Sequence, residues 1–181
     1  MQIDKYKIDE HNNSLLKDHK RRFEFAAEGV AGLDGMLKKL VDFQIAIPSW
    51  ALGTGGTRFG RFSGGGEPRT IEEKIEDVGL LHSLNKSGGA ISLHIPWDIP
   101  KDAKAIKALA AQHGLRFDAV NSNTFQDQPD QKHSYKFGSL QHVDKATRKQ
   151  AIDHNIEVIK QGVALGSDSI TVWLSDGSCF P

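Results

Sequence analysis

The chain has 181 residues, of which 38% are hydrophobic and 25% charged, which is typical of a globular protein with a sizeable core. Lysine plus arginine and aspartate plus glutamate each number 23, so no net charge favours binding to nucleic acid or to an acidic membrane. No apolar run of about 18 residues predicts a membrane span, and the polar, acidic start of the chain does not resemble a secretory signal. The single cysteine, Cys179, excludes an internal disulfide. Together these features predict a cytoplasmic protein.

The first part of the chain is predicted to be helical. Residues 8–30 and 33–41 set apolar side chains among charged ones, and glycines separate the two stretches. We therefore predict an N-terminal helical segment over residues 1–41, followed by a separate α/β domain over residues 42–181.

Four short apolar runs predict the strands of that domain, and a helix is predicted between each strand and the next. The runs are residues 43–47, 90–95, 116–121 and 168–174. This alternation indicates a parallel sheet with helices packed against it. Periodicity alone is compatible with an open doubly wound sheet and with a (β/α)₈ barrel, and it favours neither. In either fold, functional groups gather at the carboxyl ends of the strands.

The helices between the strands carry recognisable end signals. Thr70 and Glu73 have the spacing of a capping box, Pro100 is expected to open the next helix, and Asp144 is expected to cap the last one. The apolar residues at helical spacing are predicted to be the buried faces of the first and last of these helices. They are Ile71, Ile75, Val78 and Leu81 in the first, and Ile152, Ile156, Ile159 and Val163 in the last.

Aromatic and polar side chains follow the predicted strands. Trp50 comes after the first strand, His94 and Trp97 end the second, and Trp173 lies in the fourth. Aromatic rings suit the C–H faces of a sugar, and short polar side chains suit its hydroxyls. The pattern therefore predicts a sugar site. The alternative is that the tryptophans only plug the mouth of a barrel.

His94 is a candidate for proton transfer, because it ends an apolar strand and Asp98 follows four residues later. Imidazole titrates near neutral pH, and a neighbouring carboxylate would tune it. The alternative, a hydrogen-bonded histidine of the core, is left open by the spacing. The other histidines show no zinc-binding spacing, and His133, His142 and His154 are predicted to be surface or loop residues.

A glycine-rich stretch at residues 53–60 fails the known phosphate-binding patterns. Arg61 and Phe62 stand where a phosphate-binding loop needs lysine and then serine or threonine. Arg58 replaces the third glycine of a dinucleotide fingerprint. We therefore predict a long loop that acts as a lid or as a contact between subunits.

Five runs, matched in order from about residue 40 to the end, resemble L-rhamnose isomerase of the broad-specificity bacterial type. They are Ile-Pro-Ser-Trp at 47–50 with Gly-Thr-Gly-Gly-Thr-Arg-Phe at 53–59, Ser-Leu-His-Ile-Pro-Trp-Asp at 92–98, Asn-Ser-Asn-Thr-Phe at 121–125, His-Ser-Tyr-Lys at 133–136 and Thr-Val-Trp at 171–173. The resemblance implies a (β/α)₈ barrel, usually a homotetramer. It also implies metal-assisted conversion of L-rhamnose to L-rhamnulose and of related sugars, with a hydrogen shift between C1 and C2.

The resemblance also assigns expected roles to individual residues. Trp50 and Trp173 would line the sugar pocket, and His94 would be the catalytic residue that assists ring opening. Phe59 would reach the pocket of a neighbouring subunit. The metal, Mn²⁺ or another divalent cation, would be held by residues of later strands, so no metal ligand is assigned here.

The expectation is therefore the amino-terminal half of a barrel, which supplies part of a sugar pocket and is inactive alone. A second hypothesis is a non-catalytic half-barrel that serves as a sugar-binding or interaction module. A third, a metal nuclease or phosphosugar epimerase, lacks the basic surface or phosphate loop that would support it.

Overall fold

The computed structural model of the chain describes residues 4–27, 32–52 and 66–174. Two helices come first, α1 (Lys5–Ala27) and α2 (Leu33–Asp42). Helix α1 is largely exposed, but Ile8 is buried and the Asn12 amide donates a hydrogen bond to the Ser83 carbonyl at 3.0 Å. The division into a helical segment over residues 1–41 and a domain over 42–181 stays a prediction.

Four extended segments and three further helices then alternate along the chain. The strands are β1 (Ala46–Pro48), β2 (Ala90–Ser92) with β3 (His94–Ile95), β4 (Arg116–Phe117) with β5 (Val120–Thr124), and β6 (Ile170–Leu174). The helices between the segments are α3 (Ile71–Asn85), α4 (Ala103–Gln112) and α5 (Lys145–Leu165). None of the helices in the described ranges combines the length and the apolarity needed to span a bilayer.

All strand pairs in this part of the chain are parallel. One sheet has the order β1-β2-β4 and the other β3-β5-β6, so each of the four extended segments pairs with the next one along the chain. This confirms the predicted α/β class with parallel strands that are neighbours in chain order.

The helices cover the sheets in the same succession. Helix α3 contacts α4 and α4 contacts α5, while α4 and α5 pack on the strands next to them. Right-handed crossovers between strands in simple chain order place their helices on one face of a sheet. The apolar core lies in this layer, with Ile91 and Leu93 packed among residues of α3 and α4, and Val120 packed against Val158 of α5.

A β-bulge separates the two sheets and determines which residue lies beside His94. Ala90 pairs with Arg116 in the first sheet, whereas His94 pairs with Asn121 in the second, so the partner shifts by one residue. The extra residue lies between β4 and β5. In the register of the first sheet His94 would lie beside Val120. The bulge brings the amide of Asn121 there instead.

Two predicted boundaries, the start of the first strand and the start of the second of the helices between the strands, need correction. The first strand begins at Ala46, not at residue 43, because α2 continues to Asp42 and Phe43 caps it. The Phe43 side chain is exposed. The helix expected to open at Pro100 begins at Ala103, since Asp102 accepts hydrogen bonds from the next backbone amides and caps it.

The capping predictions for α3 and α5 are confirmed, but part of their predicted buried faces is wrong. Thr70 and Glu73 form the capping box, and Asp144 caps α5. Leu81 is 37% exposed, and the whole apolar stripe predicted for α5 faces outward. The buried side of α5 carries Thr147, Ala151, Val158, Gly162 and Leu165, and all but Leu165 are smaller than the isoleucines of the predicted stripe. Small side chains allow the helix to approach the sheet closely, and periodicity alone does not reveal that requirement.

Candidate functional site

An aromatic cluster surrounds His94 at the carboxyl ends of the first two extended segments. Trp50 lies in a 3-10 helix that directly follows β1, and Trp97 lies in the turn after β3. The Trp97 ring is stacked on the His94 imidazole, with 3.9 Å between ring centroids and 16° between planes. The Trp50 ring meets the imidazole edge-on, at 5.4 Å and 81°. His94 is thus enclosed by two indoles from different turns.

The cluster continues to the third and fourth segments through Phe125. This ring, which follows β5, meets His94 edge-on at a centroid distance of 6.0 Å. It lies at the same distance from Trp173 of β6, tilted by 58°. Side chains of a strand alternate between its two faces. His94 and Trp173 therefore lie on the face opposite the helices, since Leu93, Ile95 and Ile170 pack in the helix-side core.

Asn121 fixes the orientation of Trp173 from within the sheet. Its Oδ1 accepts a hydrogen bond from the indole Nε1 of Trp173 at 2.9 Å. Its Nδ2 donates to the carbonyl oxygens of Leu93 at 3.1 Å and Ala119 at 3.2 Å. The amide is 4% exposed and is used on both sides, so its rotamer is fixed and the indole hydrogen bond has a defined direction.

A buried ion pair lies beneath the cluster. The carboxylate of Asp98 accepts a hydrogen bond from the Lys74 ammonium at 2.6 Å, and these side chains are 1% and 6% exposed. The second carboxylate oxygen accepts from the Ser49 hydroxyl at 2.5 Å and from the backbone N–H of His94 at 2.9 Å. One carboxylate thus joins α3, the turn after β1 and the turn after β3.

The expected influence of Asp98 on the pKa of the His94 imidazole is present, but it is weaker than the effect of burial. The carboxylate bonds to the backbone of His94 and not to its ring. Burial lowers the pKa of His94 from 6.5 to about 4, and the charge of Asp98 opposes that shift only in part. The imidazole is therefore neutral at pH 7. Its Nδ1 is enclosed and has no hydrogen-bond partner among the described residues.

His154 does not lie on the surface or in a loop, contrary to expectation. It is a half-buried residue of α5, and its Nε2 accepts a hydrogen bond from the backbone N–H of Asn123 at 3.0 Å. Burial also lowers the pKa of His154, which keeps Nε2 available as an acceptor at neutral pH. His154 supports the strand that carries Asn121 and is separated from the aromatic cluster by the sheet.

The structure brings three of the four proposed site residues into one region. Trp50, His94 and Trp173 are connected through ring contacts, with Phe125 between the last two. Phe59 and the glycine-rich loop at residues 53–60 lie outside the described residues, as does Cys179.

The site also includes residues that the sequence reasoning did not assign to it. Phe125 was noticed only as a member of a resembling run, and Asn121 only as one of the polar residues at the end of the third predicted strand. Lys74 had a detectable signal, because it lies at helical spacing on the apolar face formed by Ile71, Ile75 and Val78. A charged residue in such a position must be paired when it is buried.

No family model matches the chain. It is 50% identical over 169 residues to a probable sugar isomerase of Rhizobium meliloti, an alignment that covers 93% of the chain and 39% of the relative. It is 51% identical over 178 residues to a probable sugar isomerase of Mesorhizobium japonicum, with 95% of the chain and 41% of the relative covered. The chain is homologous to proteins named as sugar isomerases. It spans about two fifths of the length of these relatives.

The metal implied by the resemblance does not fit the residues of this chain that the structure describes. Among residues 4–27, 32–52 and 66–174, no three His, Cys, Asp or Glu side chains lie close enough together to hold a cation. The Asp98 carboxylate beside the cluster is neutralised by Lys74 and accepts hydrogen bonds from two further donors. No chemical step is therefore assigned to a metal held by these residues.

Proposed function

We propose that this chain supplies part of the sugar pocket of an aldose–ketose isomerase of the L-rhamnose isomerase type. The observation that carries the proposal is the aromatic cluster around a neutral, buried imidazole at the ends of parallel strands. The sequence identity of 50% and 51% to two relatives named as probable sugar isomerases supports the same proposal.

The chemistry of the cluster suits a sugar. Trp50 and Trp173 offer apolar ring surfaces for the C–H faces of a pyranose, and Trp173 remains 46% exposed and so can be reached by a ligand. A neutral imidazole accepts a hydrogen bond at one nitrogen and donates at the other. His94 in this state would orient a sugar hydroxyl or ring oxygen during ring opening, and would not act as a charged acid.

The strand order supports a complete (β/α)₈ barrel in the longer protein. The extended segments follow one another in chain order, and the outer edges of β1 and β6 have no partner strand within the described ranges. Apolar side chains are exposed beside both edges, among them Phe43 and Ile45 near β1 and Leu174 in β6. Further strands and helices would cover them. We propose the homotetramer, with Phe59 at a subunit contact, on the resemblance alone.

The reaction proposed for the whole protein converts L-rhamnose and related aldoses to ketoses by a hydrogen shift between C1 and C2. The divalent cation, Mn²⁺ in the first instance, would be held by residues outside this chain. The part that this chain plays is to bind the sugar and orient its ring, and the isolated chain would not isomerise sugars. We place the protein in the cytoplasm.

A non-catalytic module is the second candidate. The exposed apolar stripe of α5 and the outer edges of β1 and β6, which are unpaired within the described ranges, favour it, because such surfaces invite association with another chain. A module of this kind would bind sugar or a partner chain, and His94 would contribute no turnover.

The test compares turnover on cyclic and open-chain sugars. His94→Asn is made in the protein that contains this chain together with the remaining strands, loaded with Mn²⁺, and ketose formation is followed. We expect turnover on cyclic L-rhamnose to fall about 10²-fold or more, and turnover on an aldose that cannot cyclise to fall much less. Equal losses of turnover on the two substrates would show that His94 does not assist ring opening. No turnover by the unmodified protein on any aldose would overturn the isomerase proposal.

A further inference from the structure

We propose that Lys74 and Asp98 are positioning residues that set the orientation of Trp50 and Trp97 around His94. The inference rests on the proposed sugar pocket for its functional meaning. Its structural content, that one buried ion pair orients two indoles, can be tested without a sugar.

The carboxylate of Asp98 connects the two turns that carry the indoles. It binds the hydroxyl of Ser49, the residue immediately before Trp50, and the backbone N–H of His94. Asp98 is also the residue immediately after Trp97, and its own N–H donates to the His94 carbonyl at 2.9 Å. The carboxylate thus bonds to the neighbour of Trp50 in the sequence and belongs to the neighbour of Trp97. It also bonds to His94, which lies between the two indoles.

Lys74 holds this carboxylate in place. Within the described residues, Lys74 is the ion-pair partner of Asp98, and it reaches the carboxylate from the first turn of α3. An ion pair this deeply buried is costly to desolvate, and apolar residues often replace such pairs without loss of stability. Its presence calls for a reason other than stability, and fixing the geometry of the two turns supplies one.

The ring contacts of His94 require a precise placement of the two turns. The ring planes of Trp97 and Trp50 lie at 16° and 81° to the plane of the His94 imidazole. These angles depend on the relative placement of two separate turns. Backbone hydrogen bonds of β1 and β2 end at Pro48 and Ser92, before either indole. The Asp98 carboxylate makes the next connection between the two turns.

The experiment observes the three tryptophans separately. The chain is labelled with 5-fluorotryptophan, which gives one fluorine NMR signal each for Trp50, Trp97 and Trp173, assigned by single Trp→Phe variants. Trp173 is an internal reference, because its indole is held by Asn121 and not by the ion pair. The variants are Lys74→Met, which removes the ammonium and leaves an unbranched side chain, Asp98→Asn, which keeps the shape of the side chain, and the double variant. Lys149→Met is the matched control, since Lys149 forms an exposed ion pair with Asp153.

We expect Lys74→Met to shift or broaden the signals of Trp50 and Trp97 while the Trp173 signal stays in place. Lys149→Met should move none of the three. The double variant K74M/D98N should largely restore the first two signals, because the amide of Asn still accepts bonds from Ser49 and from the His94 N–H and no charge is left unpaired. Sugar affinity, measured by titration, should fall about 10-fold or more in Lys74→Met and recover in the double variant.

Three results would overturn the inference. The Trp50 and Trp97 signals could stay unchanged in Lys74→Met, all three signals could move together, or the double variant could show the sum of the single effects. The failure of the proposed function looks different: the unmodified chain then binds no sugar, while the NMR pattern of the variants still reports whether the ion pair orients the indoles.

Discussion

The imidazole of His94 lies parallel to the indole of Trp97, with 3.9 Å between the ring centroids. This stacking covers one face of the imidazole, and the edges of Trp50 and Phe125 enclose it further. The ring is thereby removed from water, and burial is the main reason why its pKa falls to about 4.

The lowered pKa predicts a loss of stability in mild acid. The unfolded chain binds a proton at His94 below about pH 6.5, whereas the folded chain binds one only near pH 4. Between these values the unfolded state holds more protons, so the free energy of unfolding falls as the pH is lowered through this window. His94 should account for about 3 kcal/mol of that loss. Urea unfolding at pH 7 and at pH 4 measures it.

The control for this prediction is His94→Gln, which does not titrate. The variant should lose less stability than the unmodified chain between the two pH values. His154 keeps part of the slope, because burial lowers its pKa as well. An identical pH dependence in the variant and the unmodified chain would show that His94 is accessible to protons when folded.

Removing the indole N–H of Trp173 should destabilise the chain through Asn121. In Trp173→Phe the Oδ1 of Asn121 loses its donor while the amide stays buried, which costs about 1 kcal/mol. Trp97→Phe is the comparison, because the acceptor there, Oε1 of Gln128, belongs to a part-exposed residue that water can reach. Denaturant titration should rank Trp173→Phe below Trp97→Phe in stability, and the reverse order would contradict the assignment.

Val158 and Ile156 lie on opposite faces of α5, and substitutions there test which face of the helix is buried. Val158 is fully enclosed between Ile95 and Val120, so Val158→Ala should cost about 2–3 kcal/mol. Ile156 is 45% exposed, and Ile156→Ala should cost under about 1 kcal/mol. Both are measured by denaturant unfolding. A larger loss at Ile156 would mean that another part of the protein, or another chain, covers the outer stripe of α5.

Truncating one partner of the buried ion pair should be far more costly than truncating an exposed one. Lys74→Met leaves the carboxylate of Asp98 buried without its cation, and we expect a loss of about 3–5 kcal/mol. Lys149→Met removes an i,i+4 pair on the surface and should change the free energy of unfolding by about 0.5 kcal/mol or less. Similar effects at the two lysines would show that water reaches Asp98.

The sequence by itself determined the α/β class, the parallel neighbouring strands and the caps of α3 and α5. These features depend on local chemistry: runs of apolar residues, a threonine three residues before a glutamate, and an aspartate before a helix. The same reasoning located aromatic residues after the strands, because strand ends are visible where an apolar run stops.

Only the tertiary structure decided which face of α5 is buried, what the carboxylate of Asp98 binds and that His94 is neutral. Each of these depends on distances between segments far apart in the chain. The apolar stripe of α5 has perfect helical spacing, yet the sheet accepts the side with Ala151 and Gly162 because close approach there requires small residues. Asp98 follows His94 by four residues, yet its carboxylate bonds to the side chains of Lys74 and Ser49 and not to the imidazole. Burial outweighs the charge of Asp98 in setting the pKa of the imidazole.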